Sequence, residues 1–224
     1  MYTTEKPTQL SSHKAPKMPP FHHLLLLLLY FSLLLSPSLS TRSGPKLDSN
    51  DKNNNDDKYI SFIKSACNAT TYPTLCLKTC LPYASKTKGS PQKLVVTALS
   101  ATLAAAESSA AAVSALSRRS SLDKYEAAAI RDCIDNMGDS IDELKQSIQE
   151  ISDDDLRSSS EDLKFKIANV QTWMSAAITD EDTCMDGIDD RNVDPDVKKK
   201  IRGSILGVAK LTSNALSLCN HIQY

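Results

Sequence analysis

Ile130, Ile134, Met137, Ile141, Leu144, Ile148 and Ile151 follow one another at alternating steps of four and three residues. An α-helix turns once every ~3.6 residues, so this spacing lines the apolar side chains along one stripe and leaves the rest of the surface polar. Such a stripe needs another element to cover it, because most of a helix's stability in a protein comes from packing its apolar face. Three further segments repeat the pattern. One is Ala-rich, opens at Ser90 and Pro91 and runs to about Arg118, with a serine suited to capping and a proline whose ring presets the first turn. Another starts near Ser160 and sets Leu163, Ile167, Val170, Met174 and Ala177 on one side. The last opens at Asp194 and Pro195 and carries Val197, Ile201, Ile205, Val208, Leu211, Ala215 and Leu218. No long segment shows the strict alternation of a half-exposed strand. Four amphipathic helices joined by short polar loops predict an all-α fold, an up-and-down four-helix bundle.

Ahead of the bundle, two short helices are predicted over 58–67 and 74–81, separated at Tyr72 and Pro73. Proline lacks a backbone donor and pushes its predecessor out of helical geometry, so the chain reverses there into a helical hairpin. The expected organisation is a signal peptide over 1–40, a polar leader over 41–57 and one domain over 58–222, made of the hairpin (58–84) and the bundle (90–222). The leader is dense in Asn, Asp and Lys and cannot bury enough apolar surface to offset chain entropy, so disorder is expected for it. In the first segment, Lys6, Lys14 and Lys17 precede the apolar run Leu24–Leu35, and small residues follow up to Ser40. As a helix that run spans about 18 Å, short of the roughly 30 Å hydrocarbon core, so secretion with cleavage near Ser40 is expected rather than a lasting membrane anchor.

All six cysteines, Cys67, Cys76, Cys80, Cys133, Cys184 and Cys219, follow the signal segment and are expected to meet an oxidising compartment. Disulfides are therefore expected, although spacing alone does not choose among the pairings.

Catalytic chemistry finds few footholds. His221 is the sole histidine after the signal segment, which leaves little for histidine-based acid/base or nucleophilic catalysis. Bundles that hold paired metals use Glu-x-x-His motifs, and paired C-x-x-C spacings mark structural zinc; neither is present, so no metal and no cofactor is expected. With 26 Lys+Arg against 27 Asp+Glu there is no basic run to hold nucleic acid. One charged feature stands out. Asp132, Asp135, Asp139 and Asp142 trace a carboxylate stripe beside the apolar seam. A solvated helix face is the plain reading, and a docking surface for a basic partner is the sharper one. A glycosidase carboxylate pair is disfavoured, because it needs a cleft with one carboxyl in an apolar pocket and a convex bundle helix supplies neither.

The run Ile63-Lys64-Ser65-Ala66-Cys67-Asn68-Ala69-Thr70-Thr71-Tyr72-Pro73-Thr74-Leu75-Cys76, with Ala128-Ala129-Ile130-Arg131-Asp132-Cys133 and Val170-Gln171-Thr172-Trp173-Met174-Ser175-Ala176-Ala177 leading to Thr183-Cys184-Met185-Asp186-Gly187, resembles the plant invertase and pectin methylesterase inhibitor family. The resemblance extends over about 58–222. It implies a secreted, disulfide-stapled inhibitor of the cell wall, not an enzyme, with the pairs Cys67–Cys76 and Cys133–Cys184. Cys80 and Cys219 lie outside that four-cysteine core and are expected as free buried thiols, with a third bridge as the alternative. The resemblance further implies a one-to-one complex with pectin methylesterase across its substrate cleft. Carried onto this chain, the contacts are Asp135, Asn136, Asp139 and Asp142 on one helix and Thr183 and Asp186 on its neighbour. Invertase is the alternative target, and a secreted structural bundle the third reading. Invertase-directed members carry a Pro-Lys-Phe element, whereas here Leu163 precedes Lys164-Phe165. An independent inhibitor is expected rather than the pro-region of an esterase. Asn68-Ala69-Thr70 is a glycosylation sequon whose occupancy the sequence leaves open.

Overall fold

The computed structural model describes residues 49–118, 122–152 and 159–223. The signal segment 1–40 and the first part of the leader lie outside the described residues. The chain forms α1 (Ser49–Asn68), α2 (Pro73–Cys80), a 3-10 turn (Leu81–Tyr83), α3 (Ala84–Thr87), α4 (Pro91–Ser117), α5 (Lys124–Ser152), α6 (Ser160–Asp189) and α7 (Pro195–Asn220), with no strand among the described residues.

The long helices begin where the capping chemistry lies. Ser90 Oγ accepts from the Lys93 amide at 3.4 Å. Asp123 Oδ1 accepts from the Tyr125 and Glu126 amides, each at 2.8 Å. Ser159 and Asp162 form a reciprocal capping box, and Asp194 accepts from the Asp196 and Val197 amides. Pro91, Pro195 and also Pro73 stand in the first turn of their helices, where a missing amide costs nothing.

The expectation of an up-and-down bundle is met. Each of α4 to α7 packs on its neighbour in the chain and α7 packs back on α4, which puts α5 diagonally opposite α7. The core is built from Leu94, Val95 and Leu99 of α4, Ile130, Met137 and Leu144 of α5, Ile167, Val170 and Met174 of α6, and Ile201, Ile205 and Val208 of α7, all buried. The other seam residues Ile134, Ile141, Ile148 and Ile151 are half-buried and pack against this cluster from its edge, as the flank of a broad apolar face does.

One expectation fails. The leader was expected to be disordered over 41–57, but α1 begins at Ser49, inside it. Tyr59, Ile60 and Ile63 pin the C-terminal part of α1 to the core, and a helix once nucleated extends outward residue by residue at little cost. Asn55, Asp57 and Lys58 are exposed and Asp56 is half-buried.

The hairpin of α1 and α2 docks on α4 and α7. Its clasp is Asn214, a buried α7 residue whose Oδ1 accepts from the Tyr72 amide at 2.9 Å and whose Nδ2 donates to the Tyr72 carbonyl at 3.0 Å. Beyond α3 the chain turns through Lys88 and Gly89, both at positive φ (49° and 72°), and enters α4.

The disulfides are Cys67–Cys76, with Cα atoms 5.4 Å apart, and Cys133–Cys184, with Cα atoms 4.3 Å apart. Cys80 and Cys219 are free and buried. Chain entropy alone makes the hairpin bridge worth ~2–3 kcal/mol and the longer loop closed by Cys133–Cys184 about 4 kcal/mol.

Candidate partner-binding face

Cys133–Cys184 fastens α5 to α6 near one end, and polar pairs fix their register from there. Ser140 Oγ donates to Glu181 Oε1 at 3.0 Å, and Asn169 Nδ2 donates to Glu150 Oε1 at 3.1 Å further along. The flank of α5 that turns toward α6 therefore runs through positions 132, 136, 139, 143 and 150, steps that keep side chains on one edge of a helix.

This register sorts the expected contact residues into two groups. Asn136 and Asp139 border the α5–α6 seam; on α6, Thr183 is exposed and its Oγ1 donates to the Thr179 carbonyl at 2.6 Å. Asp135 and Asp142 stand on the next row of α5, and Asp186 on the outer row of α6, all pointing to solvent. Asn136 is half-buried and the other five are exposed. The six thus share one side of the molecule, spread along the seam and not gathered at a point.

Partial neutralisation leaves a pattern within that strip. Asp132 pairs with Arg191 at 2.7 Å and Asp142 with Lys145 at 3.4 Å, both on the surface. No cation is paired with Asp135 or Asp139 among the described residues. Asp186 on α6 has no paired cation among the described residues either, so negative charge remains on both helices of the strip.

Three acids behind this surface were not singled out from the sequence. Glu181 is completely buried and its Oε1 accepts from Ser140 of α5 and from Thr212 of α7 at 2.8 Å, while Oε2 has no partner. One carboxylate thus holds three helices together. Burial pushes its pKa up to about 7, against the pull of the two hydroxyl donors. Glu143 is also pushed up to about 7, first by burial and then by a hydrogen bond and charge repulsion from Asp180 and by the charges of Asp139 and Glu181. Asp180 is raised as well, chiefly by burial. Two neighbouring carboxyls cannot both ionise cheaply, and this favours the neutral form of Glu143 beside Asp180 at the α5–α6 seam. The signal for Glu181 was present: positions 167, 170, 174, 177, 181, 184 and 188 alternate by three and four, which places a glutamate in the core stripe. Nothing of that kind marks Glu143 or Asp180, whose meeting depends on the register of two helices.

Among the described residues, Cys67, Cys76 and Cys80 form a cluster with the spacing of metal donors, but the disulfide uses two of its sulfurs.

Fold and cystines together define a disulfide-stapled helical bundle with an acidic strip along one seam. The family described as plant invertase/pectin methylesterase inhibitor matches residues 61–218, and the chain belongs to that family. As a member of an inhibitor family it is not an enzyme. It is similar to pectinesterase inhibitor 11 of Arabidopsis thaliana, at 38% identity over 192 residues, which is 85% of this chain and 93% of that protein. It is also similar to pectinesterase inhibitor 9 of Arabidopsis thaliana, at 42% identity over 161 residues, 71% of this chain and 79% of that protein. The crystal structure of mutant form A of a pectin methylesterase inhibitor from Arabidopsis shares the fold, with a TM-score of 0.55 at 21% identity over 72% of this chain and 97% of that one.

Proposed function

We propose that this protein is a secreted inhibitor of pectin methylesterase that lays the α5–α6 face across the enzyme's substrate cleft in a one-to-one complex and so modulates pectin de-esterification in the cell wall. The observation that carries this reading is the unpaired negative charge at Asp135 and Asp139, held in place by the Cys133–Cys184 bridge, in a chain whose similar relatives are named pectinesterase inhibitors. Asn136, Asp142, Thr183 and Asp186 extend the contact along the seam. An exposed strip of one sign speeds encounter with a basic surface and disfavours partners of the same sign. A staple that fixes two helix faces before contact lowers the ordering cost of binding. The hairpin packs on α4 and α7, so Asn68, exposed at the end of α1, could carry a glycan without covering this face.

The test is residual activity of a panel of plant pectin methylesterases and acid invertases mixed with the purified protein. The expected result is loss of esterase activity, weaker with added salt and weaker for Asp139→Lys. Loss of invertase activity with every esterase untouched would transfer the proposal to invertase, and full activity in every well would leave a structural bundle.

A further inference from the structure

Cys76 and Cys80 stand four residues apart on α2 and so face the same side, toward Cys67 on α1. The three sulfurs all lie within 4.8 Å of one another, and all three residues are buried. Cys67 therefore has two neighbours on α2, one helical turn apart, and is bonded to the nearer one in sequence. Cys80 is left as a thiol within reach of a disulfide, which is the arrangement thiol–disulfide exchange requires.

We propose that Cys80 is a reserve partner for Cys67, able to replace Cys76 by intramolecular exchange and staple the hairpin one turn further along α2. The Cys80 thiolate attacks the Cys67 sulfur, the Cys67–Cys76 bond breaks as Cys67–Cys80 forms, and Cys76 leaves as a thiolate that takes up the proton Cys80 gave up. One disulfide and one thiol exist before and after, so no oxidant or reductant is consumed. Burial raises the Cys80 thiol to about 11, which makes its thiolate scarce in acid and confines exchange to alkaline conditions or to the folding chain, before the hairpin is packed. During oxidative folding either α2 cysteine then captures Cys67 and closes the hairpin, and packing selects the Cys76 bridge afterwards.

Two preparations of the full chain test this by mass mapping of non-reduced peptides after acid quenching and alkylation. In the Cys76→Ser variant the expected product is a Cys67–Cys80 bridge beside an intact Cys133–Cys184 bridge. In the wild type held in alkaline buffer, the expected product is a fraction with Cys76 alkylated and Cys67 joined to Cys80, absent from Cys80→Ser. A Cys67–Cys80 bridge in either preparation supports the proposal. It is overturned if the wild type keeps Cys67–Cys76 throughout and the variant yields no intramolecular Cys67–Cys80 bond; should the variant fail to fold, the wild-type result decides alone.

Discussion

At the scale of single residues, the raised carboxyls of buried Glu181 and half-buried Glu143 predict a response of stability to pH. Glu143 and Glu181 are raised from the usual 4.5 to about 7, so between those values the folded protein holds protons that the unfolded chain has released. Their stabilising contribution is complete below about 4.5 and is lost as pH rises through about 7. Thermal melts are expected to give a higher Tm in mildly acidic than in mildly alkaline buffer, and Glu181→Gln, which cannot ionise, should narrow the gap. A Tm that climbs from acid to alkali would contradict this reading. Gly138 offers a second test. It lies exposed in α5 with nothing within 4 Å of an added Cβ, so Gly138→Ala should stabilise the helix. The expected gain is about 1 kcal/mol, or roughly 2–4 °C in Tm for a chain of this size, measurable by calorimetry. What the sequence reveals at this scale is uneven. Ser90, Asp194, Pro91 and Pro195 announce their roles because capping is local chemistry. Glu181 is visible only once the seam is followed through it, and the Glu143–Asp180 contact belongs to a register no local pattern encodes.

At the scale of elements, side-chain clasps decide what docks where. Removing Asn214 leaves the Tyr72 amide without its partner at a part-buried junction, while the Tyr72 carbonyl keeps the Cys76 amide, a loss of about 1–3 kcal/mol. Asn214→Ala should loosen the hairpin before the bundle melts, seen as faster proteolysis within 49–90 while the far-ultraviolet helical signal persists; unchanged proteolysis would rule the clasp out. The staple between α5 and α6 acts on stability and on the shape of the face together. Replacing Cys133 and Cys184 with alanine should cost about 4 kcal/mol in denaturant unfolding. It should also weaken inhibition at temperatures where the variant is still folded, because the two rows of the face are no longer tied. The four long helices were legible because each stripe repeats over many turns. The start of α1 at Ser49 was not, since composition weighs against order there while helix extension from the anchored Tyr59–Ile63 segment favours it. The cystine pairs were legible only through family resemblance, as spacing leaves several pairings open.

At the scale of the whole molecule, a formal net charge of −1 conceals a division of labour. The hairpin occupies the α4 and α7 side, while the α5–α6 seam carries the carboxylate strip with unpaired charge at Asp135 and Asp139. A near-neutral chain with one negative side is steered by that side, so the association rate with a basic esterase is expected to fall with ionic strength while dissociation changes less. The proposed complex requires that this seam meet the enzyme. Zero-length carbodiimide coupling of the complex, followed by peptide mapping, asks it directly, because it joins carboxylates to lysines only where they touch. Cross-links to esterase lysines are expected from Asp135, Asp139 or Asp142; cross-links confined to acids away from the seam, such as Glu107 of α4, would contradict the proposed complex.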